Sequence, residues 1–148
     1  MYPYRLLWGL FLLALLGIAP TAQAQEHGTL AITVTDLAPT SGTLFISIFN
    51  TPEGFPGEYK NAYKVQQVPV GQQTETVEIP GLPYDEYAIG IWHDRNDNRR
   101  FDTNALGIPT EGYGASNDAN NMLGPPDYAD ARFRLNSPHK TLEIRCRN

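Results

Sequence analysis

The sequence predicts an all-β fold, an antiparallel β-sandwich of about seven strands of the immunoglobulin or transthyretin kind, with one long irregular loop. Beyond residue 24, apolar and polar residues alternate with a period of two, which is the repeat of a half-buried strand. The alternating stretches are short, and clusters of Gly, Pro, Asn and Asp separate them as turns do. No window carries a long helical repeat, so helices contribute little to the expected core.

The first two strands show the alternation most clearly. Their apolar positions are Leu30, Ile32 and Val34 and, after a turn at residues 39–42, Leu44, Ile46 and Ile48. Five further strands are expected at residues 63–70, 74–79, 86–94, 131–135 and 141–147. Tyr87 begins a late strand, where sandwich domains often use a tyrosine hydroxyl to pin a corner, although an ordinary core tyrosine fits as well.

Residues 96–130 form the expected irregular loop, about 35 residues with almost no apolar periodicity. Loops of this length in compact domains usually bind something or are disordered, and we expect an ordered, packed loop. The apolar side chains expected to dock it on the sandwich are Leu106, Ile108, Tyr113, Met122, Leu123 and Tyr128.

The first 24 residues have the layout of a cleavable secretory signal. Arg5 is their only charge, an apolar run covers residues 6–18, and Ala22-Gln23-Ala24 suits signal peptidase. We expect a signal peptide at residues 1–24, cleavage after Ala24, and a single β-sandwich domain at residues 25–148, either periplasmic or secreted. The apolar run is short for a membrane span, and no later segment approaches the required length, although an uncleaved anchor is the alternative.

Charge and cysteine content narrow the expected partners. Without Arg5 the chain has ten basic and sixteen acidic residues, a net charge of −6 that would repel nucleic acid. Cys146 is the only cysteine, which excludes an intrachain disulfide. It shares an apolar face with Leu142 and Ile144, so we expect a buried, inert thiol rather than a reactive one. The mature protein is expected to be a monomer.

A cluster of oxygen-bearing side chains leaves the strand that ends at Asp94. Asp94, Asn96, Asn98 and Asp102 occupy relative positions 1, 3, 5 and 9, which match the front of a calcium loop. The back half departs from that pattern, because Arg99 stands where a glycine usually makes the sharp turn. Two interpretations remain: a Ca²⁺ site, or Asx turns and Arg–Asp pairs that hold the loop without metal. No other cofactor is indicated.

Catalytic patterns are sparse. No serine lies in a Gly-x-Ser-x-Gly context and no Gly-rich phosphate loop follows a strand, so an enzyme is the less favoured class. The best enzyme alternative is an envelope hydrolase that uses His93 with Asp94 or Glu111. Phe45, Phe49 and Trp92 lie on the strand faces opposite the core positions, where they form either an aromatic groove for a glycan or peptide or a surface covered by the long loop.

Several uncommon motifs follow one another along the chain, each occurring once. They are Ile46-Ser47-Ile48-Phe49-Asn50, Glu53-Gly54-Phe55-Pro56, Gly81-Leu82-Pro83, His93-Asp94-Arg95-Asn96-Asp97-Asn98, Phe101-Asp102-Thr103-Asn104, Leu106-Gly107-Ile108-Pro109, Glu111-Gly112-Tyr113-Gly114 and Gly124-Pro125-Pro126. In these motifs the chain resembles a bacterial domain-of-unknown-function family, the one numbered twenty-one forty-one. The resemblance implies an exported small β-sandwich with no established activity. It also implies that the cluster from Asp94 to Asp102 and residues 111–114 belong to a family motif, in which glycines usually stand where this chain has Asp97 and Arg99.

These observations together predict an exported binding or interaction module of the cell envelope, whose partner is an envelope protein or glycan. The expected binding loop comprises Asp94, Asn96, Asn98, Asp102, Glu111 and Tyr113, with calcium on the first four if a metal is bound. A purely structural domain, whose long loop only covers a sheet, is the third interpretation.

Overall fold

A computed structural model describes residues 26–122 and 124–148. The expected signal peptide lies outside the described residues, as does Leu123. No helix in the described part of the chain is long and apolar enough to cross a membrane.

The all-β prediction is confirmed. The described part of the chain forms eight strands: β1 His27–Thr35, β2 Thr43–Phe49, β3 Lys64–Pro69, β4 Glu75–Pro83, β5 Asp85–Asp94, β6 Gly112–Ala115, β7 Phe133–Leu135 and β8 His139–Arg145. Within residues 26–122 and 124–148, helical structure is limited to single turns at Tyr59–Asn61, Ser116–Asp118 and Tyr128–Ala131. The strand that exceeds the expected seven is β6, which lies within the segment expected to be irregular.

The strands form two sheets. One has the order β4-β1-β8 and the other the order β3-β2-β5-β6, with β7 paired to the start of β5. All strand pairs are antiparallel except β1 with β8, which run parallel from Thr29 opposite His139 to Thr35 opposite Arg145. A parallel pair needs a long crossover connection. Here the connection is the whole chain between the two strands, which includes the second sheet.

The core lies between the two sheets. The alternating apolar residues of β1 and β2 are fully buried there, together with Ile89 of β5 and Ile144 of β8. Cys146 is also buried, as predicted, and burial raises the pKa of its thiol to about 11. The thiol is therefore protonated at neutral pH, which makes it a poor nucleophile.

Tyr87 pins the corner between β4 and β5. Its hydroxyl donates a hydrogen bond to the carbonyl oxygen of Pro83 at 2.9 Å. The ring is buried in the core, and burial raises the pKa of the phenol to about 12. The corner-tyrosine prediction is thus confirmed.

The segment 96–130 packs differently from the expectation. Tyr113 and Tyr128 contact other aromatic rings, but Leu106, Ile108 and Met122 are exposed, so the predicted docking of these three was wrong. The turn that carries Leu106 needs no apolar docking, because the side-chain oxygen of Asn104 accepts the backbone N–H groups of Leu106 and Ile108 at 2.9 and 3.1 Å. Such Asx turns stabilise a loop locally.

Candidate binding site

The outer face of the five-stranded sheet, on the side away from the core, is covered at one end. Phe49 is fully buried there, with Phe55 packed edge-on against it at 5.4 Å between ring centroids. Tyr128 packs edge-on against Phe55 at 5.7 Å. Close approach of the covering chain depends on Gly90, because a Cβ at this position would lie 2.7 Å from the carbonyl oxygen of Pro56. We call this region the covered end.

Ser116 ties the covering segment to the sheet. Its buried hydroxyl donates to the carbonyl oxygen of Ala131 at 2.5 Å and accepts the backbone N–H of Ile89 at 2.9 Å. The hydroxyl therefore satisfies one donor of β5 and one acceptor of the covering segment. Both groups would otherwise be buried without a partner.

An aromatic row crosses the other end of the same face. It consists of Phe45, Trp92 and Tyr113, which lie opposite one another on β2, β5 and β6. The rings of Phe45 and Trp92 are stacked, with centroids 4.6 Å apart and an interplanar angle of 19°. Phe101, from the loop between β5 and β6, packs edge-on against Trp92 and Tyr113. The predicted aromatic surface opposite the core therefore exists, although Phe49 belongs to the covered end.

A groove of about 220 Å³ opens beside the aromatic row. One wall is the single helical turn that begins at Tyr59 and the other is the loop that carries Arg99. The lining residues are Phe45, Tyr59, Val65, Gln67, Trp92 and Arg99. Within the described residues, the side chains of Tyr59, Gln67 and Arg99 make no hydrogen bond or ion pair. Their polar groups are therefore available to a ligand.

Asp94 organises the wall that carries Arg99. Its carboxylate is fully buried and accepts the backbone N–H groups of Asn98 at 3.2 Å and Arg99 at 2.8 Å. Asp97 and Arg99 adopt left-handed φ values of 56° and 62°. The resemblance noted from the motifs implies glycine at these two positions, and glycine is the residue that adopts this conformation at the lowest cost.

The other three residues of the expected calcium cluster converge on one atom. The side-chain amides of Asn96 and Asn98 both donate to Oδ2 of Asp102, at 2.9 and 2.7 Å. Oδ1 of Asn98 accepts the backbone N–H of Arg100, and Oδ1 of Asn96 accepts that of Asn98. The four residues of the cluster thus share one loop, held by Asx turns.

The sequence left two interpretations of this loop: a Ca²⁺ site, or Asx turns together with Arg–Asp pairs. In the described part of the chain the ion pairs are Arg132–Glu86 and Arg145–Asp36, so the expected Arg–Asp pairs within the loop do not form. No group of three or more His, Cys, Asp or Glu residues in that part could hold a metal ion. Two of the four proposed calcium ligands are asparagines, which are not among these four residue types. Calcium binding at this loop therefore stays a prediction.

Glu111 connects the loop to the aromatic row. This buried carboxylate accepts the indole N–H of Trp92 at 2.7 Å and the backbone N–H of Asp102 at 3.1 Å through Oε2. Its Oε1 accepts the backbone N–H of Arg95 at 3.1 Å. Glu111 therefore fixes the orientation of the Trp92 ring and the path of the loop together.

The residues of the hydrolase alternative do not come together. His93 is fully buried on the core face of β5, where its Nε2 lies 2.7 Å from the carbonyl oxygen of Ser41. Neighbouring strand residues point to opposite faces, so Asp94 and Glu111 lie on the other side of the sheet from the imidazole. His93 has no free path to solvent, whereas general acid–base catalysis needs a group within reach of a substrate.

Sequence reasoning did not identify Tyr59, Val65, Gln67 and Arg99 as parts of one site. A signal existed for Val65 and Gln67, because they stand two residues apart in the expected strand 63–70 and therefore share one face, which the register identifies as the face of Phe45. No sequence signal places Tyr59 or Arg99 beside them, since both are on loops whose positions depend on the whole fold.

Residues 32–143 match the family described as an uncharacterized protein conserved in bacteria (DUF2141). The chain belongs to this family. The match covers both sheets from β1 to β8, including the aromatic row and the Asp94 loop, which agrees with the resemblance seen in the motifs. No curated protein and no solved structure matches the chain.

Proposed function

We propose that this protein is an exported binding module of the bacterial cell envelope, which holds an envelope glycan or protein in the groove beside the aromatic row. The observation that carries the proposal is the groove itself. It combines an aromatic surface from Phe45 and Trp92 with three uncommitted polar side chains, between two loops that are ordered by their own contacts. Concave sites with apolar walls and a few free polar groups are the usual form of ligand sites.

Binding without catalysis is favoured by the state of the acidic groups. The carboxylates of Asp94 and Glu111 accept backbone N–H groups and the indole N–H of Trp92, so they position the loop rather than face the groove. The binding role of Asp94, Asn96, Asn98, Asp102 and Glu111 is therefore to build the wall. Tyr113 contributes to the aromatic row directly.

The mature chain offers a direct probe of the groove. The sequence contains two tryptophans, Trp8 and Trp92, and cleavage after Ala24 would leave Trp92 as the only one. Its intrinsic fluorescence should change saturably when residues 25–148 are titrated with solubilised peptidoglycan fragments or purified envelope proteins that bind.

Phe45→Ala should abolish the fluorescence change, and Leu106→Ala is the matched control, since Leu106 is an exposed apolar residue of the neighbouring loop that does not line the groove. If no envelope component alters Trp92 fluorescence, the domain is structural and the proposal fails.

Export is the second part of the proposal, and it is supported by the layout of residues 1–24. Cell fractionation should recover the protein outside the cytoplasm, with a new amino terminus at Gln25. An intact protein that stays in the cytoplasm would contradict this part of the proposal and leave the groove unaffected.

A further inference from the structure

We infer that the groove binds an acidic sugar unit, a pyranose ring that carries a carboxylate. This inference rests on the proposed function, because it names the ligand class of the same groove. Three features of the groove point to this chemistry: its size, its uncommitted hydrogen-bonding groups and its charge.

The size of the groove fits one ring. Its volume of about 220 Å³ is below the range of about 300–1,000 Å³ that is typical of sites for drug-sized ligands. Trp92 covers one face of Phe45, and the other face lies on the β3 side, next to Gln67, the residue paired with Phe45. A flat ligand with apolar C–H groups can pack against the exposed part of the Phe45 ring, as sugar rings do on aromatic side chains.

The hydrogen-bonding groups fit hydroxyls. The amide of Gln67 both donates and accepts, and so does the hydroxyl of Tyr59. Sugar hydroxyls also donate and accept, so each can be satisfied by either side chain. A purely apolar ligand would bury these groups unpaired, at a cost of about 1–3 kcal/mol each.

The charge of the groove is opposite to that of the protein. The mature chain has a net charge of −6, yet Arg99 is the single charged residue that lines the groove. Three acidic side chains beside the groove are committed to protein donors: Asp97 accepts the hydroxyl of Thr43 at 2.7 Å, Asp94 accepts backbone N–H groups, and Glu111 accepts the indole N–H of Trp92. A free guanidinium binds a carboxylate strongly, because two of its N–H groups can donate to the two oxygens in parallel.

The backbone of Arg99 gives an independent reason to assign a role to this side chain. Its left-handed φ of 62° costs a residue other than glycine about 1–2 kcal/mol. Within the described residues, the backbone N–H of Arg99 is bound by Asp94, but the guanidinium makes no hydrogen bond or ion pair. Strained residues of this kind persist at ligand sites, where the side chain is needed.

The test is a titration of the mature protein with paired acidic and neutral sugars, in which binding is measured by Trp92 fluorescence and by calorimetry. The pairs are trigalacturonate with its methyl ester, and the disaccharide of N-acetylglucosamine and N-acetylmuramic acid with chitobiose. At least one acidic sugar should bind about tenfold or more tightly than its neutral counterpart, and the difference should shrink at high salt.

Two variants isolate the guanidinium. Arg99→Gln should lower the affinity for the acidic sugar about tenfold, to that of its neutral counterpart, and so remove the preference. Arg100→Gln removes the same charge from the adjacent residue, which does not line the groove, and should retain the preference. Circular dichroism of both variants confirms that the fold is intact.

The outcomes separate this inference from the proposed function. If neutral sugars bind as tightly as acidic ones and Arg99→Gln has no effect, the ligand class is wrong but the groove is a binding site. If no sugar binds but an envelope protein changes Trp92 fluorescence in a Phe45-dependent way, the inference is overturned and the proposed function stands. If nothing binds, both fail.

Discussion

Phe45 and Phe49 lie four residues apart on β2 and point to the same face of the same sheet, yet their surroundings differ. Phe49 is fully buried at the covered end, whereas Phe45 is half-buried beside the groove. The residues next to them explain the difference. The small residues Gly90, Ala88 and Ala115 let chain segments lie directly on the sheet at the covered end. At the other end, the large rings of Trp92 and Phe101 occupy that space and leave a groove between the flanking loops.

The two ends are also held by different forces. Apolar packing and the Ser116 hydroxyl hold the covered end, while the wall beside the groove is held by carboxylates that accept backbone N–H groups. Burial of apolar surface contributes more free energy per residue than a typical hydrogen bond. The covered end should therefore dominate stability, and the groove end should dominate binding.

The largest expected effect is that of Phe49→Ala. Removal of a fully buried phenylalanine leaves a cavity and should lower the free energy of unfolding by about 3–5 kcal/mol. Phe45→Ala is the matched variant on the same strand and face, and should cost only about 1–2 kcal/mol because the ring is half exposed. Urea unfolding of both variants measures the difference. Equal losses would refute the distinction between the two ends.

Ser116→Ala should have the next largest effect, about 2–4 kcal/mol. The substitution leaves the buried N–H of Ile89 and the carbonyl oxygen of Ala131 without their partner. Ser137→Ala is the control, since that hydroxyl makes an exposed hydrogen bond to the carbonyl oxygen of His139. Substitutions at surface positions usually change the free energy of unfolding by less than about 0.5 kcal/mol. A loss of that size in Ser116→Ala would mean that apolar packing alone holds the covered end.

Asp94→Ala should act on the wall of the groove, with a loss of about 1–2 kcal/mol. Without the buried carboxylate, the backbone N–H of Arg99 loses its acceptor and that of Asn98 keeps only Oδ1 of Asn96, so the loop should open. Trypsin should then cut faster after Arg99 and Arg100, while circular dichroism shows unchanged strand content. Asp130→Ala, at an exposed position, serves as the control. An unchanged digestion rate would show that other contacts order the loop.

Alkaline pH tests the stability of the core between the sheets rather than that of the outer face of the five-stranded sheet. Burial raises the pKa of Tyr87 to about 12 and that of Cys146 to about 11, so the folded state disfavours both ionised forms. The contribution of these two groups to stability should be constant below about pH 9, near the pKa of unfolded cysteine, and fall as the pH rises toward 12. Tyr87→Phe should cost about 1 kcal/mol at neutral pH by loss of the hydrogen bond to Pro83, and make the decline above pH 10 shallower. If stability declines as steeply in this variant as in the wild type, groups other than Tyr87 cause the decline.

The smallest expected effect is that of calcium. Since the carboxylates of Asp94 and Asp102 already accept hydrogen bonds, the thermal unfolding midpoint in excess chelator should equal that in millimolar calcium. A rise of several degrees that Asp102→Asn removes would instead show that a metal ion orders the loop, because calcium at about 100 times its dissociation constant adds roughly 2.7 kcal/mol.

Much of the fold follows from local pattern. The alternation around Leu30, Leu44 and Ile89 predicts which strands form and which side faces the core, because successive strand residues point to opposite faces. The same alternation places Phe45 and Trp92 on one outer surface. It could not predict β6, whose Gly112–Ala115 segment has too few apolar residues to show a period.

The loop from Asp94 to Asp102 is a mixed case. Short Asp and Asn side chains cap nearby backbone groups, so the convergence of these residues follows from sequence spacing. The bonds made by Glu111 do not follow from it, since they join the backbone of Arg95 and Asp102 to the indole of Trp92 across distant positions in the chain.

By itself, the sequence determined the class of fold, the alternating core, the buried Cys146 and the composition of the loop. Each of these depends on residues close together in the chain, where strand periodicity and side-chain capping act directly. Only the tertiary structure decided the parallel pairing of β1 with β8, the burial of Phe49 and the groove beside Phe45. These depend on which distant segments meet, and that is set by the combined burial and hydrogen bonding of the whole domain rather than by any local pattern.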